Sequence, residues 1–284
     1  MRSCILINGL SEHSLPVTDR GFAYGHGLFE TLAVNLSLPV AWQAHLDRLR
    51  DGAKRLAIPL PVDIQQLLEQ DLTQLLRLQQ NAPERQVLKI TITRGCGGRG
   101  YAVDEAVPIN RIVQLTPFPE YQDQPSQMGI TVTQCHTRLA LSPQLAGIKH
   151  LNRLEQVLAR AEWDDPDIAE GLLLDNHNNG IEGTMSHLFC VQALEGAQPV
   201  LLTPALSRCG VRGVTRERIL DAAAKLNIPH RETDVQLHDL QQASEMFISN
   251  SLIGIWPVRQ FQQQTYALGP MTQQLSQALE SRND

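Results

Sequence analysis

Hydrophobic and polar positions change period several times along this chain. The apolar run at residues 2–7 (RSCILI) reads as a strand and stops at Asn8-Gly9, a pair suited to a two-residue turn. Residues 28–42 hold two short apolar runs around Asn35 and read as a hairpin. The period then becomes helical: Leu46, Leu49, Ala53 and Leu56 share one face, and a second helix is expected over 63–79. Residues 86–94 (QVLKITITR) alternate with β-branched side chains and predict a strand, as do residues 111–116.

Residues 117–127 (PFPEYQDQPSQ) lose all periodicity in a stretch rich in Pro and Gln, which marks an interdomain linker. Beyond it the pattern predicts a strand at 129–135, a helix from about 150 to 162, a strand at 170–175, a tight turn at 176–180 and a strand ending in HLFCV. A further helix is expected after Gly213. No internal repeat is evident. The mixture implies an α/β (α+β) chain of two domains with partly antiparallel sheets. The expected division is a smaller N-terminal domain at 1–116, the linker, and a larger C-terminal domain at 128–284 that carries Lys149.

Bulk composition narrows the functional classes. The 284 residues are 42% hydrophobic and 19% charged, enough apolar material for one or two cores. A net charge of -6 with no basic run argues against nucleic-acid binding. The five cysteines are odd in number, widely spaced and free of any C-x-x-C pair, so they read as reduced thiols of a cytoplasmic protein. No stretch approaches the ~20 apolar residues of a membrane span, and the first residues lack a secretory pattern.

Several familiar chemistries lack their signatures. Residues 95–100 (GCGGRG) fit G-x-G-x-x-G after a strand, but YAVDEAVPIN follows where a dinucleotide site needs a helix. The stretch reads as a loop beside a site, from which Arg94 and Arg99 could face an anionic substrate; solvated arginines on a plain surface loop explain it equally well. H-E-x-x-H, G-x-S-x-G and the P-loop pattern are all absent.

Three features are more suggestive. Lys149 lies in an apolar setting (AGIKHLNRLE) at an expected loop–helix junction, where lost solvation would lower its pKa and leave an amine able to attack an aldehyde. Glu182 follows the 176–180 turn, where a carboxylate could hold a protonated ring nitrogen. Residues 210–216 (GVRGVTR) open a helix, and amides at a helix start bind phosphate. The plain readings are a surface lysine, a turn carboxylate and a glycine-rich cap.

The order of these features resembles a known family. It runs Asp19-Arg20-Gly21, Tyr24-Gly25-His26-Gly27-Leu28-Phe29-Glu30-Thr31, His45-Leu46-Asp47-Arg48-Leu49, Lys149, Glu182, Gly213-Val214-Thr215-Arg216 and Ser249-Asn250-Ser251. This resembles the fold-type IV enzymes dependent on pyridoxal 5'-phosphate (PLP), among them branched-chain and D-amino-acid aminotransferases and aminodeoxychorismate lyases. The stretches at 94–101 and 145–157 look most similar to the lyases.

The resemblance implies PLP on Lys149 as its Schiff-base lysine and acid/base group, with Glu182 against the pyridine nitrogen. It implies a phosphate cup of Arg48, Val214, Thr215, Asn250 and Ser251, and substrate contacts from Thr31, Arg99 and Tyr101. It further implies a homodimer acting on a small substrate with carboxylates, split into 4-aminobenzoate and pyruvate for folate synthesis. A D-amino-acid or branched-chain aminotransferase, or a non-catalytic binding protein on the same fold, are the other expectations. His187 stands where the family usually has Asn, which puts the hydrogen bond normally made there in doubt.

Overall fold

A computed structural model describes residues 4–281 apart from 80–82, 105, 122–123, 194–195 and 197. Its contacts divide the chain into two units. One holds the residues up to Pro119 together with Ile148–Asn152; the other holds Glu120–Gly147 and the residues from Arg153 onward.

The first unit contains β1 (Cys4–Ile7), α1 (Arg20–Tyr24), β2 (Gly27–Asn35), β3 (Leu38–Pro39), α2 (Trp42–Arg55), α3 (Ile64–Arg77), β4 (Arg85–Thr93) and β5 (Asn110–Pro117). Its sheet runs in the order β1-β5-β4-β2-β3, and every pairing is antiparallel. Even positions of β2 and β4 face one side: Leu28 pairs with Ile92 and Leu32 with Leu88, and all four join Leu46, Leu49 and Leu68 of α2 and α3 in one core. Glu30, also even, therefore lies on the apolar face, whereas Phe29 and Thr31 lie on the other.

The second unit contains α4 (Pro125–Met128), β6 (Ile130–Leu139), α5 (Leu154–Arg160), β7 (Ile168–Asp175), β8 (Asn179–Gly183), β9 (His187–Gln192), β10 (Val200–Pro204), α6 (Val214–Lys225) and β11 (His230–Thr233). It continues through β12 (Val235–Gln236), α7 (Leu237–Gln242), β13 (Glu245–Asn250), β14 (Gly254–Phe261), β15 (Gln264–Thr265) and α8 (Pro270–Glu280). The main strand order is β11-β10-β9-β13-β14-β6-β7-β8-β12, with β6 parallel to both β7 and β14. Glu182 of β8 also pairs with His187 of β9, so the strands from β9 round to β8 close on themselves. Alternation divides the strands between two cores: Leu188 and Cys190 point into one, while Phe189 and Val191 pack with Ile219, Ala223 and Leu275 of α6 and α8.

The expected helix from about 150 to 162 is shorter in the structure, running Leu154–Arg160. Residues 148–152 are extended instead. They lie along the edge of β2 that β3 leaves open: the Phe29 N–H donates to the Lys149 carbonyl (3.0 Å), and the Leu151 N–H donates to that of Gly27 (3.0 Å). Ile148 fills the core of the first unit. Lys149, expected with the C-terminal residues, thus sits on a short excursion of chain into the first unit.

Candidate active site

In the first unit, β2 carries two polar groups on opposite faces. On the odd face, Lys149 is half-buried with Nζ 4.3 Å from the centre of the Phe29 ring. Cation and aromatic face attract one another here. Thr31 lies two residues along the same face and is half-buried.

On the even face, Glu30 is almost wholly buried and takes Arg48 side-on. Arg48 Nε donates to Oε1 (2.9 Å) and Nη2 donates to Oε2. His45 Nδ1 lies 2.6 Å from the same Oε2. His45 and Arg48 are three residues apart and share the inner stripe of α2 with Leu46, Leu49 and Ala53. Burial works to raise the Glu30 pKa, but Arg48 and His45 prevail and hold it at about 2. Burial pulls the His45 pKa below its ordinary value, against the attraction of Glu30. A neutral imidazole must carry its proton on Nδ1 to make this contact with a carboxylate.

The glycine-rich loop after β4 is tied down from beneath. Arg20 donates to the carbonyls of Gly97, Gly100, Tyr101 and Ala102. Arg94 is buried and donates to Val107 (2.9 Å) and Asp104 (2.8 Å). Arg94 therefore faces main-chain oxygens, which corrects both readings of it, as a substrate contact and as a solvated surface arginine. Arg99 is exposed, and Tyr101 is 85% exposed with its ring 5.4 Å from that of Tyr24.

In the second unit, Glu182 sits inside β8, and not in the turn before it. Its Oε2 accepts the Val211 N–H (2.8 Å) and its Oε1 accepts Gln156 Nε2 (3.2 Å). Burial lowers the pKa of Arg153, while Glu182 and Glu155 raise it. Glu182, His187 and Ser249 stand abreast on neighbouring strands. The 210–215 segment crosses this row, and the His187 ring packs against Gly213 so closely that a Cβ there would lie 1.8 Å from Nε2.

Gly213 is the N-cap of α6 and supplies no capping side chain. The first-turn amides of α6 and the hydroxyls of Thr215 and Ser251, 3.4 Å apart, form a donor set of the kind an anion takes. Asn250 lies beside this set, but its side chain shapes the turn: Oδ1 accepts from Leu252 (2.8 Å) and Ile253 (3.0 Å), and Nδ2 donates to Met185. Within its own unit, the structure thus joins Lys149 to Phe29 and Arg48 to Glu30, and it joins Glu182 to Val211 and Thr215 to Ser251. The sequence reading gave no role to Glu30, His45, Gln156 or Val211. Glu30 left one sign, an acid on the apolar face of β2; the others left none.

Known proteins identify the class. The chain belongs to the class IV amino-transferase family, whose model matches residues 27–261. It is similar to an aminodeoxychorismate lyase of Vibrio harveyi, with 36% identity over 89% of each chain. It is also similar to the crystal structure of 4-amino-4-deoxychorismate lyase from Pseudomonas aeruginosa, with 43% identity, 98% of each chain covered and a TM-score of 0.89. A D-alanine aminotransferase of Listeria monocytogenes is 27% identical, over 94% of this chain and 90% of the relative.

Proposed function

We propose that this protein is a PLP-dependent lyase that converts 4-amino-4-deoxychorismate to 4-aminobenzoate and pyruvate. The observation that carries the substrate is the likeness to the Pseudomonas aeruginosa lyase along 98% of both chains. Each unit holds groups that suit the cofactor: the first a half-buried lysine and Arg48, the second a buried carboxylate and the α6 start with Thr215 and Ser251.

When bound, PLP supplies an electron sink for charge developing on the substrate carbon next to nitrogen. Lys149 would hold the cofactor at rest, and its amine, set free when the substrate's amine takes its place, would take the proton from that carbon and return a proton to the departing enolpyruvyl group. Glu182 keeps the ring nitrogen protonated, and its two donors hold the carboxylate in place. Arg48, Val214, Thr215 and Ser251 bind phosphate, with Asn250 shaping the turn beside them. Arg99, Tyr101 and Thr31 meet the substrate, whose two carboxylates call for a cation. The reading also carries a cytoplasmic homodimer, which sedimentation can test.

The decisive assay gives the purified protein 4-amino-4-deoxychorismate without a keto acid. Pyruvate and 4-aminobenzoate should appear in equal amounts. Family membership and the likeness to a D-alanine aminotransferase support the second reading, an aminotransferase, which would release no pyruvate from this substrate and would instead need an amino-acid donor with a keto-acid acceptor. A protein without turnover in either assay would be a binding protein on this fold.

A further inference from the structure

We propose that Glu30, clamped by His45, is a positioning residue for the cofactor phosphate: it fixes the plane and reach of Arg48. The inference rests on the reading of Arg48 as a phosphate ligand and names a residue which that reading leaves out.

The argument starts from what β2 would otherwise hold at this place. Positions 28, 32 and 34 on the same face are Leu, Leu and Val, all buried in the core of the first unit. A carboxylate among them loses its hydration, and a buried ion pair seldom stabilises a fold more than apolar residues of the same volume. Stability alone gives little reason for Glu30. What the pair provides is geometry. Two parallel N–H donors to two carboxylate oxygens set the guanidinium plane, and one long flexible side chain becomes a rigid group. His45 meets the shared oxygen from the same helix, so the carboxylate itself cannot rotate.

The frame also fixes Arg48 relative to Lys149. Phe29 and Glu30 are consecutive residues of β2. One touches the lysine and the other holds the arginine, on opposite faces of one strand. A cofactor bonded to Lys149 has its phosphate at a set distance from the aldehyde carbon, so an arginine held in one place suits it better than one free to swing. The Arg48 side chain is 13% exposed against 2% for Glu30, so the ion pair presents the guanidinium and keeps the carboxylate inside.

The test compares two ligands on the full-length apoprotein: PLP, and pyridoxal, which has the ring and the aldehyde but no phosphate. Affinities come from spectroscopic titration, without turnover. Glu30→Gln keeps the size but puts an amide NH2 against the Arg48 or His45 donors. PLP should bind about tenfold more weakly, while pyridoxal changes less than about twofold. Equal loss of both ligands would make Glu30 a structural residue only and overturn the proposal, as would unchanged or tighter PLP binding. Arg48→Ala is the control for the underlying reading, because it should erase the preference for PLP over pyridoxal. If it does not, the phosphate role of Arg48 fails, and Glu30 with it. If Arg48→Ala erases the preference and Glu30→Gln leaves it, only the Glu30 inference fails. Should Glu30→Gln not fold, Glu30→Asp keeps the charge one methylene further back and must show the same selective loss.

Discussion

Glu182 takes hydrogen bonds from a backbone N–H and from a side-chain amide, one on each oxygen. Glu182→Gln can keep one of these and must turn an NH2 toward the other donor. The fold should lose about 1–3 kcal/mol, the cost of one buried donor left unsatisfied. Turnover should fall by about ten- to a hundredfold beyond any loss of folded protein, because the neutral amide cannot hold a protonated ring nitrogen. Cofactor content, melting temperature and rate, measured on the one variant, separate these effects; a fully loaded variant with normal turnover rules out the ring-nitrogen role. At Lys149 the expectation is simpler. Lys149→Ala and Lys149→Arg should both lose the yellow colour near ~420 nm and nearly all turnover, since neither side chain offers an amine able to attack an aldehyde. Retained colour in either variant would move the attachment elsewhere.

Among the elements, the start of α6 is tightly constrained, because it lies against His187. Gly213→Ala must push the ring or the helix start aside, at about 1–3 kcal/mol. The double variant Gly213→Ala/His187→Ala removes the obstruction and should recover most of the melting temperature and the PLP affinity. No recovery would mean that the glycine serves something other than this contact. Some elements were legible in the sequence because a single local rule governs them. α2 shows its inner face at Leu46, Leu49 and Ala53, and β4 alternates along its length. Others answer to distant partners. β8 is buried throughout, so NGIEG has no polar side to reveal its period, and Glu182 reads as following a turn when it lies within a strand. Residues 150 and 151 have a helical composition, but the open edge of β2 bonds them first. Arg94 reads as a surface cation, because nothing local shows that two loop carbonyls close over it. The family resemblance named Arg48 and left its partner Glu30 without a role, since their contact joins two elements.

For the molecule as a whole, ionisation should limit stability on both sides of neutrality, through different units. His45 is held neutral in the folded first unit. An unfolded imidazole takes up a proton near pH 6.5, so stability should begin to fall as pH drops through that value. Glu30 adds a later loss: its folded pKa of about 2 lies below the unfolded value of about 4.3, so its contribution fades between the two. In the second unit, burial pushes the thiols of Cys135, Cys190 and Cys209 up to about 12. Unfolded thiols ionise from about pH 8.5, so stability should fall as pH rises from there toward 12. Melting temperatures of the parent and of His45→Gln between pH 7 and 5 check the first of these. The parent should decline and the variant should decline less; parallel curves would remove His45 from the account. The excursion of residues 148–152 has a further consequence, for the chain as it is being made. The edge of β2 from Gly27 to Phe29 finds its partner only after Leu151 has left the ribosome, more than 120 residues later. Until then the nascent first unit carries an open strand edge, a template for pairing with other chains, and that interval is when a chaperone would matter most.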